Sequence, residues 1–509
     1  MNPSQMELPV HPGSSGPDEP AGSRRDSPRR EGPRDVLTAG LEPGMHDECG
    51  VVGISGIENA AELTFLGLYA LQHRGQESAG ICAIEDGTAR VHKDTGLVSD
   101  VFNAENLSKL KGSTSVGHVR YSTAGGNHIE NAQPILVRYA EGDLAISHNG
   151  NLTNAQDLRN RLVSEGSIFQ TSSDSEVIVH LVARSRHETI DGQIDDALTQ
   201  LEGAYSLVMT VGETIYAVRD PRGFRPLIVG RKDGGTIVTS ETCALDIMGA
   251  EYVRDVEPGE VLKIRGQQID RLRSLPAAPQ PAPCIFELVY FARPDSHLFG
   301  ASVDRARRAF GRQLAREHPV EDADCVISVP DSANSAALGY AEESGVAFEL
   351  GLLRNHYVGR TFIQPTQADR DFGARIKYNP VTEVLEDRKV VVVDDSLVRG
   401  TTSTSLVKFI REAGAKEVHL RIASPPVRFP CFYGIDMPTK EELIGSRLTV
   451  SGIREEIGVD SLGYLSLEGM KEAVEEHGPF CDACFSGDYQ APLVDVDRGL
   501  APSTEAPGC

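Results

Sequence analysis

Val390-Val391-Val392-Val393-Asp394-Asp395-Ser396-Leu397-Val398-Arg399-Gly400-Thr401-Thr402-Ser403 is the stretch on which the fold of this 509-residue chain turns. Four consecutive β-branched residues suit a strand buried on both faces, the habit of parallel sheets. The strand ends in two carboxylates. A Gly-Thr-Thr-Ser turn then opens a segment with Leu406, Phe409, Ile410 and Ala413 at helical spacing, stopped by Gly414. Free N–H groups at a helix start, the positive end of its dipole and three hydroxyls make a site for a phosphate monoester. Asp394 and Asp395 can hold vicinal sugar hydroxyls, directly or through a divalent metal. A phosphate at one end and a diol at the other describe a ribose 5-phosphate. An Asp-Asp pair alone is more often two loop acids beside a threonine cap, but the strand, acid pair, glycine and hydroxyls together reverse that balance.

Outward from this site the texture stays α/β. Cys325-Val-Ile-Ser328 reads as a second buried strand, followed by Val329-Pro330-Asp331-Ser332, a second anchor for metal and pyrophosphate. Arg354 to Gln364 is a basic, glycine-containing loop suited to closing over a substrate and excluding water. Upstream, Ala277-Ala-Pro-Gln-Pro-Ala-Pro283 is a proline-rich linker. Before it lies a sheet-rich region with strands such as Val51 to Ile54 and Leu144 to Ser147, interrupted by helices such as Ala61 to Gln72. The division predicted is a disordered segment 1–48, a domain 49–276, the linker 277–283, a domain 284–490 and a polar tail 491–509. Residues 1–44 hold too little apolar surface to offset their ordering entropy.

Composition narrows the function classes. With 50 Lys and Arg against 74 Asp and Glu, the net charge is -24, which disfavours nonspecific attraction to nucleic acid or an anionic membrane. No apolar run is long enough to span a bilayer, and the start of the chain lacks the apolar core of a secretory signal, so a cytoplasmic location is expected. The nine cysteines are too few and scattered for a disulfide framework, which leaves catalysis, metal binding or burial. Cys82 and Cys325, inside apolar runs, read as buried core.

The 390–403 segment resembles the phosphoribosyl pyrophosphate motif of the type I phosphoribosyltransferases. In the first half, Cys49-Gly-Val-Val-Gly-Ile54, Leu71-Gln-His-Arg-Gly-Gln-Glu-Ser-Ala-Gly80, Gly117-His-Val-Arg120-Tyr-Ser-Thr-Ala-Gly125, His148-Asn149-Gly150-Asn151-Leu152 and Thr171-Ser-Ser-Asp174-Ser-Glu176 resemble the glutaminase domain of N-terminal-nucleophile amidotransferases. In this order the two halves resemble the amidophosphoribosyltransferase family, from Met45 to about Tyr489. The fold implied is α/β plus α+β: an N-terminal-nucleophile αββα sandwich, then a type I phosphoribosyltransferase doubly wound parallel sheet. The reaction implied takes glutamine, water and phosphoribosyl pyrophosphate to glutamate, pyrophosphate and 5-phosphoribosylamine, the entry to purine synthesis. Rivals are another glutamine amidotransferase, which should lack the Asp394-Asp395 site, and a nucleotide-sensing regulator, which has no use for a glutaminase constellation.

The resemblance also assigns residues. Cys49 is the nucleophile, Asn149 and Gly150 the oxyanion hole, and Arg120 and Asp174 the clamp on glutamine. Asp394, Asp395, Ser396, Arg399, Gly400, Thr401, Thr402, Ser403, Arg354 and Gln364 bind phosphoribosyl pyrophosphate. Ser332, Asp394 and Asp395 hold one Mg²⁺ per subunit. Taken singly, each is more readily something else: Arg120 a surface ion pair, Asn149-Gly150 a tight turn and Asp174 a helix cap. A terminal cysteine has an adjacent α-amino group, of pKa about 8, to accept its proton. Cys49 therefore needs cleavage between Glu48 and Cys49, whether translation starts at Met1 or Met45.

Cys481-Asp-Ala-Cys484 has the spacing of a metal half-site or of a redox pair. The resemblance extends to a propeptide-processed subgroup with one [4Fe-4S] cluster per subunit, on Cys284, Cys431, Cys481 and Cys484; residue chemistry alone does not separate Cys284 from Cys243. It implies purine nucleotide feedback inhibitors and a homotetramer. The loop departs from the family's pattern in carrying Arg354 in place of the usual Lys and His356 in place of the common Arg, groups of different donor geometry.

Overall fold

The computed structural model describes residues 49–120, 129–275, 278–355, 377–435, 437 and 439–497. The expectations for 1–48, for Gln364 and His356 in the loop, and for the end of the tail lie outside them. Thirteen strands lie among the described residues of the first half: β1 Gly50–Ser55, β2 Ser78–Glu85, β3 Thr88–Thr95, β4 Thr114–Arg120, β5 Ile135–Tyr139, β6 Gly142–Leu152, β7 Gly203–Val211, β8 Thr214–Arg219, β9 Ile228–Lys232, β10 Gly235–Thr239, β11 Glu251–Asp255, β12 Glu260–Arg265 and β13 Gln268–Ser274. They make two antiparallel sheets, in the orders β11-β9-β10-β1-β4-β2-β3 and β13-β12-β8-β7-β6-β5.

Alternation builds the layers. In β1, Val51 turns with Val116 of β4 toward Val208 and Ile215 of the facing sheet, while Val52 and Ile54 pack outward on Leu68 of helix Ala60–Ala70 and Met248 of helix Thr242–Met248. On the far side, Ile146, Leu207 and Met209 bury against helices Ala155–Ser164, Ser175–Arg184 and Ile190–Leu198. Sheets between helices on both outer faces give the αββα sandwich expected.

The second half begins with a small hairpin, β14 His297–Leu298 and β15 Ala301–Ser302. Its central sheet is parallel: β16 Cys325–Ser328, β19 Lys389–Asp394, β20 Glu417–Ile422 and β21 Ser461–Tyr464, side by side in that order. Between β16 and β19 in sequence, β17 Leu352–Arg354 pairs with β18 Tyr378–Pro380 at the base of the 354–378 loop. Val391 and Val393 face helices Val303–Glu317 and Asn334–Ser344, whereas Val390 and Val392 face helices Thr401–Glu412 and Val450–Ile457. Burial on both faces explains the unbroken valine run. This is the doubly wound arrangement expected.

Residues 491–497, the described part of the tail, are more closely packed than the polar tail foreseen. Ala491 and Asp495 are buried, and Asp495 returns to the first half: its carboxylate accepts the Gln156 and Asp157 N–H groups, both at 2.9 Å, and so caps helix Ala155–Ser164.

Candidate active site

In the first half the site is built where β1, β4 and β6 meet. Cys49 is buried at the start of β1, and the pairing of Gly50 with Val119 sets it opposite Arg120, itself buried at the end of β4. One residue earlier on β4, His118 donates from Nε2 to the His148 carbonyl of β6 at 3.0 Å. The carbonyl can only accept, so Nδ1 carries no proton; burial holds the imidazole down at a pKa of about 3. His148 Nδ1 lies 3.5 Å from Asp174 Oδ1, and Asp174 Oδ2 accepts the Leu152 N–H at 3.0 Å. Burial opposes the Asp174 charge, but His148, the Leu152 N–H and the Ser175 hydroxyl prevail and hold its carboxyl below the usual range. Its side chain does not cap its own helix. Cys49 and Arg120 thus stand side by side at the ends of β1 and β4, while His148, Asn149 and Asp174 gather along the neighbouring β6.

Asn149 and Gly150 lie within β6, not in a turn. Asn149 is 1% exposed, and among the described residues its Nδ2 has no hydrogen-bond partner. Gly150 has φ +144, and a Cβ there would lie 2.2 Å from the Ala204 carbonyl oxygen. Gly434 of the second half presses on the same glycine: a Cβ on Gly434 would come 2.9 Å from Gly150 Cα. Asn151 Nδ2 donates to the Phe432 carbonyl at 3.0 Å, so the 431–435 loop rests on this strand.

Behind Cys49 is a group that the sequence reading left without a role. Arg74, wholly buried, donates from Nε to the Cys49 carbonyl at 3.3 Å and pairs with Glu241 and Glu287. Glu287 also accepts from Arg225 at 2.5 Å. Burial disfavours every charge in the set, yet the pairing holds both carboxyls below their ordinary values. Arg74 stands in a quoted motif and Glu287 closes the Cys284-Ile-Phe-Glu287 stretch that also resembles the family, but nothing local says that the two pair across 213 residues.

In the second half Asp394 ends β19 and Asp395 follows it at the C-terminal edge of the parallel sheet, both buried. Asp395 accepts hydrogen bonds from Ser332, which follows β16, and from Ser396. Burial raises both aspartate pKa values, and the charge of Asp395 adds to the rise at Asp394. Gly400, at φ +86, precedes helix Thr401–Glu412; a Cβ there would meet Ile444 Cδ1 at 2.6 Å. Thr401 and Thr402 are exposed at the first turn and Ser403 is buried beneath them. Arg399 pairs with Glu442 at 3.2 Å, and Arg354 with Asp331 at 3.2 Å. Two neighbours were not foreseen. Tyr378 has its pKa pushed up to about 12 by burial and by Asp394. Arg307 is a buried cation near Asp395 that donates to the Leu288, Tyr290 and Ala292 carbonyls.

Cys284 and Cys481 form a backbone bridge, and with Cys484 are buried; Cys431 is half-buried and accepts the Tyr433 N–H at 3.3 Å. Burial raises the Cys484 thiol well above its ordinary value, and Cys284, Cys431 and Cys481 add to the rise, so the four are neighbours. Cys243 lies elsewhere, beside Glu241. Among the described residues no group of three or more His, Cys, Asp or Glu side chains is placed to hold a metal ion.

Residues 118–246 match a family described as a glutamine amidotransferase domain. The chloroplastic amidophosphoribosyltransferase 2 of Arabidopsis thaliana is 52% identical over 458 residues, spanning 89% of this chain and 81% of that protein. The amidophosphoribosyltransferase of Bacillus subtilis (strain 168) is 51% identical over 453 residues, spanning 88% of this chain and 94% of that protein. Among solved structures, the allosteric regulatory enzyme of purine biosynthesis superposes with a TM-score of 0.83 at 49% identity, covering 87% of this chain and 97% of that one. Glutamine phosphoribosylpyrophosphate amidotransferase from B. subtilis, complexed with ADP and GMP, gives 0.82 at 48% identity, covering 87% and 98%. Identity at this level, sustained over most of both chains, settles the relationship: the chain belongs to the amidophosphoribosyltransferase family.

Proposed function

We infer that this chain converts phosphoribosyl pyrophosphate, glutamine and water to 5-phosphoribosylamine, glutamate and pyrophosphate, the first step of purine biosynthesis. The observation that carries this reading is the union, in one chain, of a buried cysteine at the head of β1, opposite Arg120, with an acid pair at the sheet edge of the second half. Arg120 and Asp174 hold the glutamine α-carboxylate and α-ammonium. The Cys49 thiolate, its proton passed to its own α-amino group, attacks the side-chain amide; the C–N bond breaks, ammonia leaves and water frees glutamate. The unpartnered Asn149 Nδ2 supports its role, with Gly150, as oxyanion donor. Ammonia then displaces pyrophosphate from C1 of the ribose, whose phosphate sits on the Gly400–Ser403 turn and whose diol meets Asp394 and Asp395. The other phosphoribosyl ligands carried over, Ser396, Arg399, Arg354 and Gln364, keep that assignment.

Cys49→Ala should abolish pyrophosphate release with glutamine and leave it with added ammonia; loss of both, or of neither, would refute this division of labour.

Two bound groups belong to the reading. One Mg²⁺ per subunit suits Ser332, Asp394 and Asp395, because two buried, adjacent carboxylates call for a cation. Bound there, it would neutralise charge on the departing pyrophosphate. One [4Fe-4S] cluster per subunit suits Cys284, Cys431, Cys481 and Cys484: the donors are all thiols, and a cluster takes each at a different iron, so they need not converge on one point. Its role is structural or oxygen-sensing. Iron-free, colourless protein with full activity would remove it.

Cys49 acts only as a chain terminus, so we place the chain in the propeptide-processed subgroup, cut between Glu48 and Cys49; Edman sequencing of active enzyme should begin at Cys49. The B. subtilis relative's complex with ADP and GMP supports purine nucleotides as feedback inhibitors here. A homotetramer and a cytoplasmic location complete the proposal. For the latter, no helix among the described residues is long and apolar enough to cross a membrane.

A further inference from the structure

A terminal nucleophile lacks the preceding peptide that fixes an internal residue, so its position depends on what holds its own carbonyl. Here that is Arg74, whose Nε donates to the Cys49 oxygen at 3.3 Å. The orientation of the guanidinium is set in turn by carboxylates. Glu241 takes one edge. Glu287 takes another with both oxygens, at 3.0 and 2.5 Å, in the planar two-pronged geometry that allows a guanidinium little rotation. Glu287 is itself fixed by Arg225. Two arginines balance two glutamates, and all four side chains are wholly buried, so water cannot substitute for a lost partner. Glu287 comes from beyond the 277–283 linker, at the head of a π-helical turn, Glu287–Phe291, whose neighbouring carbonyls are held by Arg307 beside Asp395.

We propose that Glu287, contributed by the phosphoribosyltransferase half, is a positioning residue for the glutaminase nucleophile. It acts through Arg74 and touches neither substrate. The first half then carries the thiol, while the second half fixes where the thiol points. This rests on Cys49 being the glutaminase nucleophile, a reading tested in the wild-type enzyme by its two activities before any variant is compared.

The test is Glu287→Gln in the processed full-length enzyme, which keeps the shape and one acceptor but removes the charge. Glutamine hydrolysis should lose about tenfold or more in kcat with the glutamine KM within about threefold, because a misaimed nucleophile slows attack more than binding. Ammonia-dependent pyrophosphate release should stay within about twofold, and inactivation of Cys49 by a diazoketone analogue of glutamine should slow in step with kcat. If the Gln variant does not fold, Glu287→Asp, which keeps the charge and withdraws it by one methylene, is read by the same ratio of glutamine- to ammonia-dependent turnover. An unchanged ratio in the folded variant overturns the proposal, as does a rise in KM alone.

Discussion

Asn149 Nδ2 is a buried donor with no acceptor among the described residues, a cost that folding alone does not explain. Asn149→Ala should therefore lower glutamine-dependent kcat by about 10²- to 10³-fold, leave the glutamine KM nearly unchanged and spare ammonia-dependent turnover. Steady-state kinetics with each nitrogen source would show it. His118 makes a second residue-scale case. Its folded pKa, about 3, lies below the ordinary histidine value. The unfolded chain thus takes up a proton that the folded one refuses, so its contribution is complete above about pH 6.5 and is lost as pH falls toward 3. At pH 5 the loss is roughly 2 kcal/mol. His118→Gln retains an N–H donor for the His148 carbonyl without the titration, and should flatten the decline in urea-unfolding stability between pH 7 and 5; an identical decline would remove His118 as its source. Cys49, Asn149 and Asp174 stand in short motifs that the sequence shows, and the structure buries all three. The pairing of Glu287 with Arg74 and the places of Tyr378 and Arg307 were not legible, because such partners are set by tertiary approach across the chain.

At the scale of elements, the sequence was most informative where a periodic pattern met a clear stop. Val390 to Val393 and the helix ending before Gly414 lie in the structure as the pattern requires, because burial on both faces leaves a parallel strand no polar positions. It was least informative about how elements end. Asn154 stands where a local cap belongs, yet its side chain goes to the Gln200 carbonyl at 2.8 Å and the Glu202 N–H at 3.1 Å. The cap for helix Ala155–Ser164 comes instead from Asp495. Asp495→Ala should cost roughly 1 to 2 kcal/mol in urea unfolding. A value near zero would mean that water serves the helix end as well.

At the scale of the molecule, one apolar cluster runs from Val52 and Leu68 of the first half through Phe286 and Leu288 to Phe310 and Val391 of the second. The linker is therefore a boundary in the sequence more than in the core. The composition shift at 277–283 lies between β13 and the parallel-sheet half, but composition carries no trace of the surface that the two halves share. Calorimetry of the enzyme should show a single cooperative unfolding transition; two well-separated endotherms would show that the halves melt independently. The return of Asp495 to Gln156, 339 positions earlier, has a consequence in time. A ribosome delivers the first half long before the residue that completes its helix. Through most of translation the nascent glutaminase waits for the end of its own message, so a chain abandoned midway remains an unfinished enzyme.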